Sequence, residues 1–461
     1  LDNVQRSIDL NDNRAVYRSK LLLDDDLATR EASQAGIYAN LGFEQVAQEK
    51  ATQSLSYDPT NYSAHRFLSD SYAGRPDYEI AQVSELLQAQ LLQPVNINPL
   101  QPSLLATNLN ILARTGLTQM AFNEYMSLFE RDQTQLYASG VGGNNGTWGD
   151  EVVVSGLSGP FSYSLGQFHY QTDGFRPNSD FQHDLYDVFV QAVVTPELNV
   201  QVEYRHRETD EGYLPLNSDG GSRSGWRDSL NQDVGRIGVR YSPSLQNTLI
   251  ASVIYADRDY PFSFASSGKR FDFLNQTNGW QSELQWLYKG DAFNVITGIG
   301  FYHDEYSLLY LNDELSTSPT DHDNAYSYAN IQLAGGVIGT LGGSYDAYDS
   351  QYFNLNQFNP KIGLRWDITD YLTLRTAAYQ VVKRDLLVNQ TIEPTQITGF
   401  NQLFDDINGT SSDNYGIALD VRFAGNVFAG LEWLSRDLKV PFGGGPGPFE
   451  FERYQVGLSR A

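Results

Sequence analysis

The chain has 461 residues, enough for two or three domains, and carries 31 Lys plus Arg against 56 Asp plus Glu, a net charge of -25. That balance excludes a broad nucleic-acid footprint, and the absence of cysteine removes disulfides, thiolate zinc sites and cysteine nucleophiles together. The 29 Tyr, 24 Phe, 6 Trp and 40 Gly come without any long apolar run, which argues against membrane helices and suits transmembrane strands with aromatic girdles. No charged-then-apolar leader follows Leu1, so a signal peptide is expected outside this sequence.

Residues 1–94 have helical periodicity, with runs of good helix formers such as Asp26 to Tyr38 and Tyr78 to Leu92. Shifted by 34 residues, Tyr38 returns as Tyr72, Ala47 as Ala81, and the Asp58-Pro59 stop as Gln93-Pro94, one residue late. The run Tyr38, Leu41-Gly42, Ala47, Ala51, Asp58-Pro59 resembles a tetratricopeptide repeat, in which small residues let two helices approach and proline ends the second. An unrelated pair of helical hairpins is the alternative. The resemblance implies a periplasmic domain whose groove takes a periplasmic or inner-membrane protein, with Tyr38, Gly42, Ala47, Pro59, Tyr72 and Ala81 as its candidate residues. Residues 95–133 read as a connector carrying Asn96, Asn98, Pro99 and Pro102, with a short helix near Ser103 to Arg114. Its length marks a domain boundary near Gln133.

Residues 134–461 become a series of about sixteen strand candidates. In Leu198 to His206, reading LNVQVEYRH, Leu198, Val200, Val202 and Tyr204 alternate with Asn199, Gln201, Glu203 and Arg205, the period of a strand whose faces meet different surroundings. Tight connections at 158–159, 195–197, 242–246, 289–291, 334–336, 367–370 and 424–426 alternate with longer ones at 172–182, 209–229, 259–277, 305–324, 350–357, 385–412 and 438–448. Short turns at one end and long loops at the other are the arrangement of an antiparallel outer-membrane β-barrel. Lipid is then expected against Leu198, Val200, Val202 and Tyr204, with lipopolysaccharide at the outer surface, and strands beyond Ala461 are expected.

Gln357 to Arg375, reading QFNPKIGLRWDITDYLTLR, resembles the strand-turn-strand segment of TonB-dependent receptor barrels. A helical repeat stands where such receptors carry a plug, an order that resembles the outer-membrane exopolysaccharide exporters. The first reading is therefore an outer-membrane conduit for a polymer or protein, coupled to periplasmic partners. A receptor-like uptake barrel and a non-conducting anchor for a surface protein or filament are the alternatives. Each is a transport or structural role rather than an enzyme, since no G-x-S-x-G, H-E-x-x-H or phosphate loop occurs.

The expected lumen-facing charges are Glu203, Arg205, Arg207, Arg236, Arg240, Glu283, Arg365, Arg375, Asp420, Arg422 and Glu432, which either select solute charge or stiffen the wall as ion pairs. Phe400, Phe404, Asp405 and Asp406 mark the longest connection, which folds inward as a constriction, outward as a binding loop, or simply covers the surface. Asp321 and Asp323 are weak Ca²⁺ candidates in an acidic loop without the spacing of a calcium site, and no other cofactor is expected.

Overall fold

The computed structural model describes residues 29, 32–35, 38, 44–72, 75, 77–97, 131–212, 226–266, 269–310, 313–351, 354–369, 371–423, 427–441 and 449–460. Gly42, much of the Asp26 to Tyr38 run, the helix expected near 103–114, most of the connector, the turn at 424–426 and the glycines of 443–447 lie outside the described residues.

Three helices are described from end to end: α1 (Glu44–Tyr57), α2 (Tyr62–Tyr72) and α3 (Glu79–Leu92). The α1–α2 turn is built by short polar side chains. Asp58 accepts from the Thr60 amide at 2.9 Å, and Asn61 accepts from the Ser63 and Ala64 amides that open α2, filling donors a helix start cannot satisfy itself. None of these helices is long and apolar enough to cross a membrane.

The strands are β1 (Gln133–Gly142), β2 (Trp148–Ser158), β3 (Phe161–Thr172), β4 (Phe181–Thr195), β5 (Leu198–Gly212) and β6 (Arg227–Ser244). Then come β7 (Asn247–Ser266), β8 (Lys269–Lys289), β9 (Phe293–Tyr310), β10 (Asp313–Leu333), β11 (Val337–Ser350) and β12 (Asn354–Thr369). The last are β13 (Leu372–Val382), β14 (Gln396–Ile397), β15 (Phe400–Asn401), β16 (Ser411–Phe423), β17 (Val427–Val440) and β18 (Phe449–Arg460). Sixteen of them form one sheet in chain order, with β16 following β13, and every pairing is antiparallel. The remaining two, β14 and β15, make a small hairpin of their own. Among the described residues β1 pairs only with β2 and β18 only with β17.

The two faces of this sheet are inverted relative to a soluble protein. On β5, Asn199, Gln201 and Glu203 are buried while Val202 and Tyr204 are exposed; on β8, Gln281, Glu283 and Gln285 are buried while Leu284 and Trp286 are exposed. The inversion continues across the sheet through Val188, Ile237, Val253, Ile299, Leu341, Ile362, Ile417 and Leu431, all on the outward face. An apolar band of that extent is unfavourable against water, at about 25 cal/mol per Å², and favourable against hydrocarbon.

Two expectations change. Strands β6 to β10 run for 18 to 21 residues, so the described residues of 259–277 and 305–324 are strand rather than long loop. Their hairpins close only at Ser266↔Lys269 and Tyr310↔Asp313. Beyond the apolar band both faces of a strand meet water, and the alternation that marks a strand in sequence fades. Second, a tetratricopeptide-like array is not supported. The three helices pack on the concave side of the sheet, where Tyr38, Tyr72, Ala47 and Ala81 join one buried cluster with wall residues such as Ile250, Leu287 and Phe428. Of the three courses open to the segment between β13 and β16, the structure takes the inward one, with Ile392, Ile397, Phe400, Leu403 and Phe404 buried.

Candidate functional site: the filled concave side of the sheet

The concave face is a polar surface, so what fills it must match hydrogen bonds rather than bury oil. Wall glutamines do much of this matching. Gln191 donates to the Gln93 carbonyl at 3.0 Å, Gln201 to Gln90 at 2.5 Å, Gln281 to Gln390 at 2.7 Å and Gln285 to Ile392 at 2.5 Å. The first two hold the end of α3, the second two the inward segment. Sequence reasoning passed over these residues because it looked for charge; the signal was glutamine recurring on one strand face, as in Gln281 and Gln285 either side of Glu283.

The expected wall charges sort into ion pairs. Glu203 accepts from Arg236 Nε at 2.9 Å and from Arg205 Nη2 at 2.5 Å, and Arg236 reaches on to the Gln90 side chain at 3.1 Å. Arg240 donates to the Leu92 carbonyl, and Arg207 lies half-buried further along β5. Gly238 leaves room between them, since a Cβ there would sit 2.5 Å from Leu91. Arg365 binds Glu49 of α1 at 2.7 Å and Asp367 at 3.0 Å; Arg375 binds Asp420 at 2.8 Å and Glu432 at 3.3 Å; Arg422 stacks over Phe428 at 5.7 Å. Glu49 is held below the ordinary carboxylate range: burial would raise it, and Arg365, Lys50 and Arg375 together outweigh that. A cavity of about 510 Å³ lies beside these pairs, between α1 and the short turns at Gly335-Gly336 and Asp367 to Tyr371.

Helices and inward segment lock to each other as well as to the wall. Asp405 caps α3 by accepting from the Glu79 and Ile80 amides at 2.8 and 3.0 Å, where the positive end of a helix favours an anion. Glu85 binds Thr395 Oγ1 and, at 2.6 Å, His65 Nδ1; His65 Nε2 meets the Pro59 carbonyl at 3.0 Å. Both ring nitrogens thus face acceptors, and although burial opposes the charge, Glu85 raises the His65 pKa above its ordinary value. Tyr38 stands edge-on to Phe428 at 5.1 Å and Tyr72 lies 5.5 Å from Tyr78. Pro59 is buried.

The centre of the inward segment is a cluster the sequence reading did not assemble. Arg384 pairs with Glu393 and donates to the Tyr302 hydroxyl at 2.8 Å. Tyr302 donates to Glu283 at 2.8 Å, and Glu283 also accepts from Thr391 Oγ1 at 2.5 Å and the Ile392 amide at 3.3 Å. Nearby, Tyr328 donates to Glu393, and Lys361 bonds Gln402 at 2.8 Å. Phe400 is buried beneath Arg375, 5.3 Å away; Phe404 lies 3.7 Å below the Arg436 guanidinium, and Asp406 pairs with that same Arg436. The β14–β15 hairpin turns on Thr398 and Gly399, at φ 47 and 91 degrees. Left-handed backbone is unfavourable for a β-branched residue, and a 3.0 Å bond from Thr398 Oγ1 to the Thr376 carbonyl of β13 helps hold it.

Asp321 and Asp323 are exposed on β10, Asp321 bonded to His303 Nδ1 at 2.7 Å. Among the described residues no group of three His, Asp or Glu side chains is placed to hold a metal.

No known protein-family pattern matches the chain, and no curated protein does. Solved structures do. The copper transporter OprC is 11% identical, with a TM-score of 0.54 over 71% of this chain and 57% of that one. BauA, the ferric preacinetobactin receptor from Acinetobacter baumannii, is 12% identical, with a TM-score of 0.52 over 70% of this chain and 58% of that one. The ferric citrate transporter FecA is 11% identical, with a TM-score of 0.51 over 70% and 54%. At these identities the likeness is one of fold: the sheet has the architecture of TonB-dependent receptor barrels, and the chain spans less than two thirds of their length.

Proposed function

We propose that this protein is an outer-membrane uptake barrel whose lumen is closed by its own chain. The observation that carries the reading is the filling of the concave side. A conduit for an exported polymer needs a free passage, whereas here α1 to α3 and the segment 383–410 occupy the polar face through buried ion pairs and glutamine bonds. The apolar outward band supports insertion in a bilayer, and the fold likeness favours uptake over export. In this reading the wall charges clamp the filling rather than select ions in an open pore. The helices take the place a plug would have, and a periplasmic or inner-membrane partner would act on them from the short-turn end to loosen it.

Planar-bilayer recording of the purified chain tests this. The expected result is a closed channel that conducts when residues 386–409 are replaced by a short Gly-Ser link. A wild-type protein that conducts steadily would overturn uptake in favour of an open conduit. A barrel still closed after this deletion is combined with removal of residues 44–97 would favour an anchor.

A further inference from the structure

One row of side chains on the ladder is not used by the filling. The Cα partners run Glu211↔Asp228, Asp228↔Phe262, Phe262↔Phe273 and Phe273↔Tyr310 across β5 to β9, and directly opposed residues present their side chains on the same face. That face is the concave one. Eight residues back along each strand lies the row Glu203↔Arg236↔Ile254↔Gln281↔Tyr302, whose members are all buried against the filling. The upper row therefore looks into the mouth away from the short turns, roughly 26 Å along the strands at ~3.3 Å per residue.

The row is two carboxylates followed by three rings. Phe262 and Phe273 stack with centroids 5.0 Å apart and planes 9 degrees from parallel, and Tyr310 lies 5.0 Å beyond Phe273. Phe264 extends the surface, 5.1 Å from Phe271 and 5.8 Å from Phe273, and Trp226 adjoins Phe264 at 5.5 Å. All six rings stay half-exposed, which places an apolar, π-rich surface where the mouth would hold water. Arg227 and Arg270 point to the other face by alternation and are engaged there, with Asp180 and Asp210 and with Asp272; Arg258 shares the concave face four residues from Phe262, where it donates to Thr277 Oγ1 at 3.4 Å. Glu211 and Asp228, directly opposed, repel one another.

We propose that this row is the receptor surface for an organic cation carrying an apolar ring. The inference rests on the uptake reading and names its substrate class. Ring faces attract a cation and stack on its apolar body; the carboxylate pair is relieved by its charge and turns anions away. A sugar would also stack on rings and donate hydroxyls to the carboxylates, but a neutral ligand leaves the repulsion between the two like charges in place, which a cation discharges.

The test is calorimetric titration of the full chain in nanodiscs with four probes: benzyltrimethylammonium, benzyl alcohol, benzoate and methyl glucoside. The cation is expected to bind at least tenfold tighter than the alcohol, with no binding of benzoate. Phe273→Ala should weaken the cation tenfold or more. Asp228→Asn, which keeps shape, should cut the preference for cation over alcohol several-fold and leave the alcohol unchanged. Equal affinities for cation and alcohol, tighter glucoside, or an Asp228→Asn protein with its preference intact would each overturn the proposal. Binding is read without transport, so a conducting wild-type channel would sink the uptake reading alone.

Discussion

Arg384 offers the sharpest test of what keeps the inward segment in place. Its side chain is 3% exposed, as are those of Glu393 and Glu283, and it answers the first by an ion pair and the second through Tyr302. Arg384→Met keeps most of the volume and removes the cation, leaving two buried carboxylates without it. Breaking one side of a buried pair costs about 3–5 kcal/mol. At about 1.4 kcal/mol per tenfold, that is a shift of roughly two to three and a half decades toward a released segment. Open probability in planar bilayers and protease cleavage between residues 386 and 409 should both rise. Arg384→Met with Glu393→Gln should recover much of the closed state, because the stranded charge is gone, and a double-mutant cycle measures the coupling. Unchanged gating and protection in Arg384→Met, or a second substitution that adds to the damage instead of relieving it, would refute the reasoning.

Other outcomes follow from the same geometry. Asp405→Ala should cost α3 about 1 kcal/mol by loss of its cap, read as faster amide exchange at Glu79 and Ile80, with Asp405→Asn close to wild type. The His65 pKa is raised in the folded state, so its contribution is complete below its ordinary value of 6.5 and is lost as pH climbs through the raised one. Amide protection of α2 should therefore fall from pH 6 to pH 8, and His65→Gln should flatten that profile. Gly416→Ala would place a Cβ 2.6 Å from the buried Phe400 ring, and overpacking of about 1–3 kcal/mol should loosen the β14–β15 hairpin to proteolysis. Ile237→Arg, on the apolar band, should destabilise the bilayer-inserted protein by about 2–4 kcal/mol in chemical unfolding from vesicles; a neutral result would speak against lipid contact there.

The wall was legible because its physics is local. Alternation such as Val202 and Tyr204 against Gln201 and Glu203 reports two environments within nine residues, and the order of short and long connections says which is which. The filling was hidden because its environment is supplied by distant strands. Helix α3 and the residue after it carry Ser84, Gln88, Gln90 and Gln93 buried, residues that in sequence suit a solvated helix and here meet a polar wall. The 34-residue echo of Tyr38 in Tyr72 marks positions that share a core, yet the surface that completes that core is the sheet, not another repeat. The segment from Asp385 to Ser412 did hold a clue: Ile392, Ile397, Phe400, Leu403 and Phe404 are too many apolar residues for a connection left in water. Charge alone was a poor guide, since Arg365 and Arg375 in sequence are indistinguishable from pore-lining arginines until Glu49, Asp420 and Glu432 are brought to them.

The inward segment leaves the wall at Val382 and returns at Ser411, and these two residues are paired partners on β13 and β16. It is a lasso with both feet on one rung. A partner that pulled it from its seat could not carry it off, and the displaced loop would remain at millimolar effective concentration of its own binding groove. Reclosure would then be a first-order event, independent of how many copies the membrane holds. Opening would last only as long as something outcompetes the tether.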